Sequence, residues 1–260
     1  MGDFLERAGS DTLGASVTST ELIKEHWDDP ATESLDDKHW AAAERRLIAR
    51  YIPRGMTILD AGCGEGEGLE VYARLGPTTG VDYSETRLAM ARQRCPTTLL
   101  HRVDLLCDDP PGHYDVVVSA RLLINLKDWA EQRIVLQRLA GCLKPHGRLL
   151  LWEGSEDGQL ELNAVRAAIG LPPIHPQWFN RFLDDSVLED YAQGHLGLRL
   201  SDKTGLGAFF LLSRGVHQYF TANPTWDVAF NCMAASPAME TALNLRATCS
   251  RLRLWVLTNG

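Results

Sequence analysis

No block of lysines and arginines occurs in this 260-residue chain, whose 34 acidic residues outnumber its 26 basic ones for a formal net charge of -8. Releasing counterions from a nucleic acid needs a basic face, so no nucleic-acid partner is expected. The six cysteines, at positions 63, 95, 107, 142, 232 and 249, form no Cys-x-x-Cys pair and have no histidine at zinc spacing. Scattered reduced thiols and no metal are the reading. No apolar run approaches the roughly 20 residues that cross a bilayer, and no charged-then-apolar leader opens the sequence. A soluble cytoplasmic protein with no membrane partner is expected. Internal repeats and low-complexity tracts are also missing, and 45% apolar content suits one sizeable core, so residues 1–260 read as one domain.

What is present centres on Thr57-Ile-Leu-Asp-Ala-Gly-Cys-Gly-Glu-Gly-Glu-Gly68. Residues 56–59 read as a buried parallel strand that ends in Asp60, and the alternating glycines allow a tight turn and close backbone approach to a ligand. A helix through Leu69, Val71, Tyr72 and Leu75 follows. The next strand, residues 78–82, ends in Asp82, at the distance that holds a ribose in nucleotide-cofactor folds. The charge of the turn selects among cofactors. Asp60, Glu65 and Glu67 beside a pyrophosphate would be anion beside anion, so the turn suits a nucleoside without phosphates. S-adenosylmethionine offers an adenosine for Asp82 and positive charges that tolerate carboxylates.

On these residues the sequence resembles the class I S-adenosylmethionine-dependent methyltransferases, whose first motif, acid-x-Gly-x-Gly-x-Gly, stands here as Asp60-Ala-Gly62-Cys-Gly64-Glu-Gly66. The resemblance runs continuously from residue 56 to about 153. It implies an α/β fold with a seven-stranded, mostly parallel, doubly wound sheet and helical cap or lid insertions. It also implies S-adenosyl-L-methionine as cofactor and S-adenosylhomocysteine as product. Asp82 is then the ribose partner, or alternatively an N-cap carboxylate, and Tyr83 lies against the adenine. A third strand over 98–103 ends at Asp104 and Leu105, where the family places an acid on the adenine amino group; a plain loop carboxylate is the other reading of Asp104. Ala120, after the fourth strand over 114–119, joins this cofactor set with Gly62 and Gly64. In many members a helix before the first motif closes over the methionine end. Here that is residues 38–52, with Trp27, His39 and Trp40 bordering the site, though Trp40 at helical spacing equally suits plain core.

The crevice beyond the fourth and fifth strands holds Arg121, Asn125 and Glu153. Arg121 either orients an acidic substrate or pairs with a local carboxylate. Asn125 positions a substrate or caps the helix over 129–143, and Glu153 lines the site or is a solvated strand-end carboxylate. The turn Leu143-Lys-Pro-His-Gly147 resembles the family's Leu-Lys-Pro-Gly-Gly, with His146 where glycine is usual and Gly147 left to supply the positive φ. His175, in a loop with Trp178 and Asn180, is the candidate general base, or a surface histidine between prolines. His217 and Tyr219 stand behind it. Asp184 and Asp185 read as an N-cap pair rather than a magnesium site.

Residues 1–55 form an N-terminal helical segment with a short helix near 19–26 and a disordered extreme end. Residues 56–155 form the cofactor-binding core and 156–203 a substrate-side segment with the sixth strand. A helical lid occupies 204–249, with Phe209, Leu212, Val216 and Tyr219 or Phe220 on one face, and 250–260 hold the last strand. The expected reaction is O-methylation of a small polar metabolite or sugar by in-line transfer with a side-chain base. N-methylation of a small amine or peptide, a nicotinamide-dependent oxidoreductase and a silent binding module are the alternatives. Oligomeric state is left open.

Overall fold

The computed structural model describes residues 19–32, 37–221 and 225–260, so the expected disorder at the extreme N-terminus falls outside the described residues. The β-branched and leucine-rich runs form β1 (Ile58–Ala61), β2 (Thr78–Asp82), β3 (Leu99–Arg102), β4 (Tyr114–Ala120), β5 (Leu143–Gly154), β6 (Leu198–Gly205) and β7 (Leu252–Asn259). They make one seven-stranded sheet in the order β3-β2-β1-β4-β5-β7-β6. β1 to β5 are parallel, and β7 is antiparallel to both β5 and β6. The winding direction reverses between β1 and β4, which opens a crevice at their carboxyl ends.

Eleven α-helices are present among the described residues: α1 (Ser19–Asp28), α2 (Lys38–Ala49), α3 (Glu67–Tyr72), α4 (Glu85–Arg94), α5 (Trp129–Gly141), α6 (Glu156–Ala168), α7 (Asp185–Gly194), α8 (Gly207–Phe210), α9 (His217–Phe220), α10 (Ala229–Ala234) and α11 (Pro237–Leu243). None is long and apolar enough to cross a membrane. Side chains alternate across the strands, so Val117, Leu149 and Leu151 face α5 and α7, where Leu136, Leu139 and Leu188 cover them. Val116, Val118, Leu150 and Trp152 face the other way, against Leu47 and Ile48 of α2, Leu162 of α6 and Phe209 and Phe210 of α8. Both faces of the central strands are dry, as their unbroken apolar runs require.

Four local expectations are corrected. β5 runs back through the Lys-Pro-His-Gly turn, and the left-handed residue is His146 (φ 60) rather than Gly147; a Cβ on Gly147 would sit 2.8 Å from the Lys144 carbonyl oxygen, so that glycine serves close approach. Asp184 caps α7 by accepting from Val187 N at 2.9 Å, whereas Asp185 is buried and takes Arg253 Nη1 at 2.5 Å and Ser155 Oγ at 2.5 Å. Residues 207–243 pack on the α2 side of the sheet. Their predicted apolar face fails because a π-helical stretch, Leu211–Val216, separates α8 from α9. Its wider turn rotates the following residues, so Ser213, Arg214 and Gly215 are buried, while Tyr219 and Phe220 are exposed.

Removing one partner of a buried ion pair strands the other, at about 3–5 kcal/mol, while losing an N-cap costs about 1 kcal/mol. Asp185→Ala should therefore lower unfolding stability in urea several times more than Asp184→Ala.

Candidate cofactor and acceptor site

β1 delivers Asp60 to the crevice, and the chain then turns through Gly62 (φ 70) and Gly64 (φ 51), left-handed positions suited to glycine. At Gly62 a Cβ would also lie 3.0 Å from Leu122 Cδ1, so the turn sits directly against the segment after β4. Asp82, at the end of β2, binds this turn to its own loop: Oδ2 accepts from Gly64 N and Oδ1 from Ser84 N, each at 2.9 Å. The N-cap of α4 is Ser84, whose Oγ accepts from Arg87 N at 3.2 Å, so Asp82 is not used as a cap.

Asp60, Gly62, Gly64, Asp82, Tyr83, Asp104, Leu105, Ala120 and Asn125 line one cavity. Its roof is α1, which supplies Thr20, Lys24 and Trp27. Hydrogen bonds hold that helix down: Tyr83 Oη donates to the Lys24 carbonyl at 2.8 Å, Arg87 Nε to the Trp27 carbonyl at 2.6 Å, Ser84 Oγ to Asp28 Oδ1 at 2.5 Å, and Thr20 Oγ1 to Glu131 Oε1 at 2.6 Å. Lys24 also pairs with Asp104, so a ligand at that carboxylate shares it with a cation. Glu44 and Arg45 of α2 and Arg121 complete the wall on the other side.

The charges lining the cavity discriminate among ligands. Burial first, then the neighbouring Asp82 and Glu44 carboxylates, push the Asp60 pKa up to about 8. Burial raises Asp82 too, against the opposing hydrogen bonds from Ser84 and Gly64 N–H groups. A pyrophosphate would add charge of the same sign, whereas a cationic sulfonium and ammonium would relieve it. The donor set thus fits S-adenosylmethionine. A methyltransferase-domain family profile matches residues 58–147. Ubiquinone biosynthesis O-methyltransferase of Pseudomonas paraeruginosa is 30% identical over 169 residues, 58% of this chain and 68% of that protein. Its namesake from Rhodopseudomonas palustris is 30% identical over 173 residues, 63% of this chain and 66% of that one. The chain belongs to the class I S-adenosylmethionine-dependent methyltransferases.

Solved methyltransferases share the whole fold. N-methyltransferase NodS from Bradyrhizobium japonicum, in complex with S-adenosyl-L-homocysteine, superposes with a TM-score of 0.57 over 93% of this chain and 98% of that one, at 14% identity. Magnesium protoporphyrin IX methyltransferase from Synechocystis, with the same ligand bound, gives 0.55 over 94% and 96%, also at 14% identity. The alignments to the curated relatives span about two thirds of each relative's length.

Three expected site residues of this methyltransferase lie elsewhere. Trp40 is not in the cavity wall: it packs edge-on to Phe210, 5.2 Å between ring centroids, because α2 turns that face to the 207–216 segment. His175 is exposed, and only the end of its loop reaches the site, where Asn180 Nδ2 donates to Asn125 Oδ1 at 2.8 Å. Glu153 is buried away from the cavity wall, its Oε1 accepting from Ser119 Oγ at 2.8 Å and from Leu122 and Leu123 N at 3.1 and 3.0 Å, and its Oε2 from Ile124 N at 3.2 Å. Asn125 does not cap α5, whose N-cap is Asp128; its Nδ2 donates to the Arg121 carbonyl at 2.6 Å. Of the other aromatics, Trp27 lines the cavity, while His39 faces Asp227 at 3.3 Å. Sequence reasoning missed Glu44. Its spacing from Trp40 was visible, but only the fold turns that carboxylate inward.

Two measurements follow from the wall chemistry. Asp82→Ala removes a cavity-lining carboxylate that also accepts from the Gly64 and Ser84 N–H groups of the glycine turn, and should weaken S-adenosylhomocysteine binding by about 100-fold or more in calorimetry. Asp60 is held neutral below its raised pKa, and the charge that attracts a cation appears only as pH climbs through about 8. Affinity for S-adenosylmethionine should therefore rise between about pH 6 and 9, and Asp60→Asn should flatten that dependence relative to wild type.

Proposed function

We propose that the protein O-methylates a small polar acceptor, with Glu44 taking the proton from the accepting hydroxyl. The observation that carries this reading is the setting of Glu44, a buried carboxylate in the cavity wall oriented by two donors. Trp152 Nε1 donates to its Oε2 at 2.6 Å, and Arg121 Nε lies 3.4 Å from Oε1. Each carboxylate oxygen keeps a further lone pair for a substrate hydroxyl. Arg121 holds a left-handed backbone (φ 58), stabilised by its N–H donating to the Trp152 carbonyl at 2.8 Å. One tryptophan therefore positions both members of the Glu44–Arg121 pair.

S-adenosylmethionine, when bound, supplies the electrophilic methyl group. Asp60, Gly62 and Gly64 would hold its amino-acid end, Asp82 its ribose, and Tyr83, Asp104 and Leu105 its adenine. The chain's remaining work is to hold the acceptor in line, exclude water and remove one proton. Asn125, fixed between the Arg121 carbonyl and Asn180, is placed to orient the acceptor. The O-methyltransferase names of the curated relatives support oxygen as the accepting atom. Glu44 is preferred over His175, which is exposed, and over Glu153, which is absent from the cavity wall and already accepts from four donors.

A screen of metabolites with labelled methyl donor would identify the acceptor. With it in hand, Glu44→Gln should lower kcat by about 100-fold to 10,000-fold while leaving S-adenosylhomocysteine affinity largely intact. His175→Ala should turn over like wild type. Full turnover by Glu44→Gln would remove the base assignment.

A further inference from the structure

Three arginines meet on the α2 side of the sheet: Arg166 of α6, Arg214 of the π-helical stretch and Arg251, the residue ahead of β7. Arg214 is paired with the buried Asp37 at 2.8 Å. Arg166 donates to neutral acceptors, the carbonyls of Pro172 at 2.9 Å and of Arg214, and Gln218 Oε1 at 2.5 Å. Arg251 differs from both. Its Nε is buried without an acceptor, its guanidinium lies 5.5 Å from the Phe182 ring, and no carboxylate among the described residues pairs with it. Burial, then Arg214 and Arg166, pull its pKa down to about 10. Arg253, two residues on, shows the ordinary solution, with Asp185 at 2.5 Å and Glu161 at 2.8 Å.

A half-buried cation whose Nε has no acceptor, beside two buried arginines, is costly unless an anion completes the group. The cluster lies near the carboxyl end of β5. The Arg251 carbonyl accepts from Ser155 N at 3.0 Å, immediately beyond the carboxyl end of β5. Arg214 lies 5.8 Å from the Trp40 ring, and Trp40 is one helical turn from Glu44, so α2 is a wall common to the arginines and the cofactor cavity.

We propose that Arg251, backed by Arg166 and Arg214, receives an oxyanion borne by the acceptor, a carboxylate or a phosphate, so that the methylated metabolite is acidic. For the identity of that ligand as methyl acceptor the inference rests on the reading above. Guanidinium groups suit the task because their planar donor fork matches both oxyanions. A chain of net charge -8 repels acidic ligands in general, and this local reversal of sign selects for one.

The test uses the full chain saturated with S-adenosylhomocysteine and titrated with inorganic phosphate or acetate at constant ionic strength set by chloride. One of the two should raise the melting temperature of wild type, phosphate pointing to a phosphorylated acceptor and acetate to a carboxylic acid. Arg251→Gln should weaken that binding at least tenfold, with S-adenosylhomocysteine affinity unchanged, and Arg251→Lys should retain part of it. Without added oxyanion, Arg251→Gln should melt no lower than wild type, since it removes an unmet charge. Equal responses in wild type and Arg251→Gln, or no response in wild type, would overturn the proposal, as would a lower melting point of Arg251→Gln in chloride alone. Because these readings need no turnover, they stand or fall separately from the Glu44→Gln result.

Discussion

Glu153 carries a buried carboxylate that accepts from Ser119 Oγ and from three successive backbone N–H groups, Leu122 to Ile124, and so fixes the segment leaving β4. Burial pushes its pKa up to about 7, while those four donors favour the anion. The segment it holds is common to both halves of the site. Leu122 presses against Gly62 of the cofactor turn, and Arg121 reaches Glu44 on the opposite wall. Asn125 and the incoming Asn180 loop are registered from the same short stretch. Without that carboxylate three N–H groups would be buried with no acceptor, and the register between cofactor and acceptor sides would be lost.

Charge then divides the crevice. Around the glycine turn, Asp60, Asp82 and Glu44 repel one another, and a cationic cofactor relieves that repulsion. Across α2 lie three arginines, of which Arg214 pairs with the buried Asp37. The two regions have opposite signs and meet along α2, where Glu44 lines the cofactor cavity and Trp40, one helical turn away, lies beside Arg214.

Several particulars were legible in the sequence because they depend on local backbone chemistry. The Asp60-to-Gly66 turn, the acid closing β2, the β-branched run of β4 and the presence of a last strand each follow from residue type and spacing. Glu153 was legible as a crevice residue but not as an anchor, since its partners are N–H groups that any sequence carries. His175 was attractive as a chemical type, and its exposure is a property that periodicity does not report in an irregular loop.

The segment from 205 to 221 marks the boundary of what patterning reaches. Its helical spacing is real, yet the π-helical stretch rotates the face and buries Arg214 in place of Leu212 and Val216. The sequence by itself determined where the first five strands lie and the phosphate-free cofactor turn, because residue patterning, glycine conformation and carboxylate charge act over a few residues. Tertiary structure alone decided that Glu44 faces the cavity, that α1 roofs it, and that Arg251 meets two other arginines. Each of those is a contact between chain segments far apart in sequence, set by how the helices pack on the sheet.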